Sequence, residues 1–97
     1  MATYIMLVRF TQQGVERIKE SPARLEAGRE VFRALGAEMK AFYLVTGQYD
    51  GVLILEAPDD ETVAKLTLAT CALGNIRTET LRAFPEDEYR KIIAALP

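Results

Sequence analysis

Two phenols, a glycine and a carboxylate crowd one short stretch of this chain, AFYLVTGQYDG, at Tyr43, Gly47, Tyr49 and Asp50. A glycine lets backbone N–H groups approach a ligand closely, and a carboxylate pairs with an ammonium group. Convergent polar groups of this kind suit the mouth of a pocket for a small polar ligand. Asp50 beside Tyr43 or Tyr49 also offers a cofactor-free acid/base pair for a small carbonyl or aromatic substrate. A plainer reading competes with both: Gly47 supplies a positive φ in a turn, Tyr49 packs across it, and Asp50 accepts loop N–H bonds. Further along, IRTETLRAF sets Arg77, Glu79 and Leu81 on one strand face and Thr78, Thr80, Arg82 and Phe84 on the other. Arg77 or Arg82 is the counter-charge expected to reach the same pocket. Arg9 is expected inside a sheet interface, paired with a carboxylate such as Glu56 or Glu79, because a covered guanidinium needs one. Cys71 lies beside Leu68 and Ala72 in an uncharged stretch and reads as a small buried side chain rather than a reactive thiol.

The residues that are missing narrow the chemistry. The 97 residues contain no His, which removes imidazole metal ligands, Ser-His-Asp and Cys-His nucleophile systems and His-ligated haem. The one cysteine forms neither an intramolecular disulfide nor a thiolate cage. No cofactor and no metal are expected. Twelve Lys and Arg against fourteen Asp and Glu give a net charge of −2, so no chain-wide basic footprint calls for a nucleic-acid partner. The chain starts almost directly with strand-like residues, and no apolar run approaches the ~20 needed to cross a bilayer. A cytoplasmic protein with no membrane association is the expectation.

These side chains must be positioned by a small set of elements. Residues 3–10, TYIMLVRF, form a strand that is apolar on both faces, with Tyr4, Met6, Val8 and Phe10 opposite Ile5 and Leu7. Thr11 caps a short helical turn, and Ser21-Pro22 restarts a helix that ends at Gly36, with Leu25, Gly28, Phe32 and Leu35 on one face. Residues 38–46 and 51–57 read as strands joined by the 46–50 connection, a hairpin. Asp59 caps a helix to Leu73 that carries no charge after Lys65, so its outer side is expected to be covered. The strand at 76–84 and a helix opening at Pro85 with Glu86, Asp87 and Glu88 complete the chain.

The order βαββαβ with a C-terminal helix is that of a ferredoxin-like α+β sandwich, helices on one face of an antiparallel sheet. The first three strands are apolar on both faces, and one chain's helices cover only one. A second copy is the economical cover, which predicts a homodimer, with a larger assembly left open and Leu7 and Leu53 placed in its interface. The whole chain, 1–97, reads as one domain.

The segments VTGQYDGVLILEAPDDE and GNIRTETLRAF resemble the GYD family, small bacterial and archaeal proteins named for the Gly-x-Tyr-Asp element seen here as Gly47, Tyr49 and Asp50. Residues 38–84 also resemble the effector-binding domain of leucine-responsive bacterial regulators, which shares the Thr-Gly-x-Tyr-Asp hairpin and the Pro-Asp helix start. Both resemblances imply a dimeric α+β barrel. The second implies a stand-alone small-molecule sensing module, with an effector near Gly47, Tyr49 and Asp50 at a subunit interface. A cofactor-free enzyme and a structural assembly subunit are the alternatives.

Overall fold

The structure, a computed structural model, describes residues 1–97. One four-stranded antiparallel sheet runs in the order β2-β3-β1-β4, built from β1 (Ala2–Phe10), β2 (Glu38–Leu44), β3 (Gly51–Ala57) and β4 (Ile76–Ala83). Helices α1 (Gln12–Glu16), α2 (Ser21–Ala34), α3 (Asp60–Cys71) and α4 (Glu86–Ala94) connect or follow the strands, with a 3₁₀ turn at Ile18–Glu20. This is the expected ferredoxin-like arrangement, and β2 and α3 end two residues before the sequence-based limits.

Strand alternation places the core. Tyr4, Met6 and Val8 of β1 and Leu53, Leu55 and Ala57 of β3 point to one face and join Met39, Phe32, Val63 and Leu66 beneath α2 and α3. All of the buried core side chains are apolar, apart from the Tyr4 hydroxyl. Leu53, expected in the open interface, belongs to this helix-facing core instead. The register explains the correction. Leu53 pairs with Met6, whereas Val52 pairs with Leu7 and Ile54 with Ile5, so the open face carries Val52 and Ile54.

Local sequence fixes the ends of the elements. Asp59 accepts the Thr62 backbone N–H at 2.8 Å and the Thr62 hydroxyl at 2.7 Å. These bonds, the backbone one first, hold its carboxyl below the ordinary aspartate pKa. A depressed folded pKa means that this stabilisation is present above the unfolded value of about 4 and is lost as pH falls through the folded value. The melting temperature of the natural protein should therefore fall towards that of Asp59→Asn as pH drops from neutral to acid, as followed by calorimetry. An equal gap at both ends would show that the carboxylate adds nothing beyond the cap.

A clasp ties α1 to the turn before β4. Thr11 donates its N–H to the Asn75 carbonyl at 3.1 Å and its hydroxyl to the Gly74 carbonyl at 2.6 Å. Gln13 reaches the Leu73 carbonyl at 2.9 Å. Gly14 is buried here, and a Cβ would stand 2.2 Å from the Asn75 carbonyl oxygen, so no larger residue fits without moving the turn.

The opposite face of the sheet has no cover. Leu7, Val52, Tyr43 and Glu79 form one row across it, and Ile5, Ile54, Ala41 and Leu81 form the next. Nothing in this chain covers the outer side of α3, where Leu68 is exposed, as is Leu73 just past the helix end. Helix α4 stands largely apart from the sheet and exposes Tyr89, Ile92, Ile93 and Leu96.

Candidate functional site

The β2–β3 hairpin folds back on the end of the sheet and is held by β1 and β4. The Asp50 N–H donates to the Val8 carbonyl at 2.8 Å, and the Asp50 carboxylate accepts the Phe10 N–H at 2.9 Å. Two strand positions of β1 are thus bonded to one loop residue. Tyr49 donates its phenol to Glu79 of β4 at 3.0 Å, so it is engaged with Glu79 rather than with Asp50. Gly47 sits at φ 135, which a side chain tolerates poorly, and its surroundings are open.

Arg9 closes the cluster. Its Nε donates to the Gln48 carbonyl at 3.1 Å, and its guanidinium lies 4.7 Å from the centroid of the Tyr49 ring. The expected ion pair is not formed: Glu56 lies by Lys40 at 3.9 Å, Glu79 receives Tyr49, and Arg9 is exposed. A carbonyl and a ring face at the sheet end serve this cation in place of a carboxylate. Arg77 is the cross-strand partner of Arg9, so two guanidiniums share one corner of the open face.

The structure therefore gathers Tyr49, Asp50, Arg9, Arg77 and Glu79 at one end of the sheet. Tyr43 is 58% exposed on the same face, in the row of Val52, Leu7 and Glu79. Arg82 does not belong to this group. It is paired with Tyr4, roughly 17 Å along β4 from Arg77 at 3.3–3.4 Å per residue, and it lies over the Phe84 ring at 4.3 Å on the other face. Arg9 and Glu79 join the cluster through a long-range register that local sequence does not contain.

Beneath the helices the sequence hid a second polar pair. Tyr4 donates its hydroxyl to Asp60 at the start of α3. That hydrogen bond, with burial behind it, raises the phenol above the usual tyrosine pKa. No group of three or more Cys, Asp or Glu side chains is placed to hold a metal ion.

Because Asp50 serves β1 directly, Asp50→Ala should lower stability by roughly 1.5–3 kcal/mol, the usual worth of a hydrogen bond to a charged group. Urea unfolding checks this, and a change within error would mean that the hairpin holds its place without the carboxylate.

The sequence pattern of the GYD domain family matches residues 4–93. The chain belongs to that family. It is 38% identical over 86 residues to the glutamine synthetase and cystathionine beta-lyase binding protein of Thermus thermophilus, covering 88% of this chain and 90% of that one. A crystal structure of a Thermus thermophilus protein is 29% identical with a TM-score of 0.57, covering 88% of this chain and 95% of that chain. The fold is also that of a feast or famine regulatory protein from M. tuberculosis complexed with L-methionine. There the TM-score is 0.67 at 18% identity, covering 88% of this GYD chain and 51% of the regulator. The resemblance of the hairpin region to leucine-responsive regulators thus extends to the three-dimensional fold. No helix of this GYD chain is long and apolar enough to cross a membrane.

Proposed function

We propose that this protein is a cytoplasmic homodimeric binding module that docks on enzymes of amino-acid metabolism, of the kind its Thermus relative is named for binding. The observation that carries the docking is that relative, 38% identical along nearly the whole chain. The geometry agrees with a binding role, since the chemistry-bearing side chains of the hairpin are committed to holding its shape. Asp50 serves the Phe10 N–H and Tyr49 serves Glu79.

Surface area supports the homodimer. A compact monomer of 10.8 kDa exposes about 5,500 Å², whereas this chain exposes 6529 Å². The excess, roughly 1,000 Å², is comparable to the ~800 Å² that each partner contributes to a standard interface. Exposed apolar side chains include Tyr43 and Leu81 on the open sheet face and Tyr89, Ile92 and Ile93 on α4.

The test is binding by the purified protein to glutamine synthetase and cystathionine beta-lyase from the same organism, measured by calorimetry and by co-elution. A complex with either supports the reading. No complex with either at micromolar concentrations would rule it out.

A second reading, a small-molecule sensing site at the hairpin, is favoured by one observation. Arg9 and Arg77 face each other across β1 and β4, and neither forms an ion pair with a carboxylate. A small zwitterion seated by Tyr43, Gly47, Tyr49, Asp50 and Arg77 would bring that carboxylate. A thermal-shift screen of free amino acids against the natural protein and Arg77→Gln tests it, since stabilisation must appear in the first and shrink in the second.

A further inference from the structure

The strongest feature outside the hairpin lies on the other side of the sheet. Between α2, α3 and the helix-facing side chains of β1 and β3 is a cavity of about 170 Å³, walled mostly by apolar groups including Met6, Val8, Phe32 and Leu53. An engineered cavity of roughly 150 Å³ with similar walls takes up benzene. Helices normally interdigitate closely with the sheet beneath them, so a partly open cleft of this size between α2 and α3 calls for a cause.

Gly28 supplies it. This residue lies inside α2, lines the cavity, and has open space where its Cβ would stand, with no atom within 4 Å. Neither a positive φ nor a close backbone approach requires a glycine there. A helix-interior glycine is destabilising relative to alanine, so what Gly28 provides is room.

The rim carries one unmatched charge. Arg24 lines the same cavity one helical turn before Gly28. Its Nη2 donates to the Gly14 carbonyl at 2.9 Å and its Nη1 reaches Asn75 Oδ1 at 3.5 Å, both uncharged acceptors. Its neighbours on α2, Arg29 and Arg33, are each paired with a glutamate, and Arg24 has none. A guanidinium keeps further N–H donors for a planar carboxylate.

We infer that this cavity binds a small apolar carboxylate, an aryl or branched-chain acid whose hydrocarbon part fills the space beside Gly28 and whose carboxylate meets Arg24. This site is independent of the hairpin and of enzyme docking, and lies on the opposite face of the sheet from Arg9 and Arg77.

Titration of the full chain with phenylacetate, 3-phenylpropionate and isovalerate, followed by amide NMR shifts, tests the inference. At least one should saturate in the millimolar range or below, with shifts centred on α2, α3 and the start of β4, while acetate produces none. Arg24→Met should weaken the bound acid about tenfold or more and leave binding of neutral phenylacetamide unchanged. Gly28→Leu, which fills the space, should abolish binding of both. Gly28→Ala has room for its methyl and serves if the leucine variant does not fold, with a several-fold loss expected. No saturation by any of the three acids, shifts centred on residues 46–50, or Gly28 and Arg24 variants that bind as the natural protein does would each overturn the assignment.

Discussion

Ile54→Asp should turn the proposed homodimer into a folded monomer at micromolar concentration. Ile54 lies in the middle of the open face, between Ile5 of β1 and Ala41 of β2, with Leu81 of β4 completing the row. A carboxylate there would be desolvated in the assembled state, at a cost of several kcal/mol per copy. Even ~4 kcal/mol in total weakens association about a thousandfold. The protomer itself should survive, since the side chains that meet α2 and α3 are those of Leu53 and Leu55, on the other side of the strand. Sedimentation equilibrium reads the mass and circular dichroism the fold. A natural protein that sediments as a monomer, or a variant that remains dimeric, would remove the open face from the assembly.

The same variant separates two routes by which enzymes could dock. If they use a surface completed by both protomers, Ile54→Asp loses the enzyme and the dimer together. If docking uses the outer side of α3 and the turn after it, where Leu68 and Leu73 are exposed, the monomer keeps it. The uncharged LTLATCAL stretch already signals a surface in need of cover, and nothing within this chain supplies it.

How much of this was legible in the sequence depends on the range of the interaction. Asp59 as a helix cap, Thr11 as the start of α1 and the alternation of β1 are local, and each follows from residue type and spacing. The side of the sheet taken by Leu53 is not local. GVLILEA is apolar at both parities, so residue type leaves two assignments, and pairing with β1 decides between them. Arg9 shows the same limit. Its face is legible from alternation, whereas its partner, the Gln48 carbonyl and the Tyr49 ring, depends on where the hairpin lands. The Gly-x-Tyr-Asp element marks a special place correctly and leaves its work open, because a carboxylate that binds a strand N–H and one that binds a ligand have the same letter. The cavity beside Gly28 depends on the distance between α2 and the sheet, a quantity that no window of sequence contains.

Truncation on the two faces should give stability losses that differ in kind. Leu53→Ala removes a side chain that is 5% exposed in the core of the protomer, and the usual cost is roughly 2–5 kcal/mol, lost transfer energy plus the cavity left behind. Because its neighbours belong to the same chain, that loss should be the same at every protein concentration. Leu7→Ala acts on the open face, where the side chain is only half-buried by its own chain and packs in the row of Val52 and Glu79. In the monomer its truncation should cost little, and in the dimer it should cost more. The midpoint difference between Leu7→Ala and the natural protein should therefore grow as concentration rises through the dissociation constant, in urea melts taken over a broad dilution series. Two constant differences would place both leucines in the protomer and leave the dimer without its central contact. A concentration-dependent loss for Leu53→Ala would mean that the helix-facing side of the sheet, not the open one, meets the second copy.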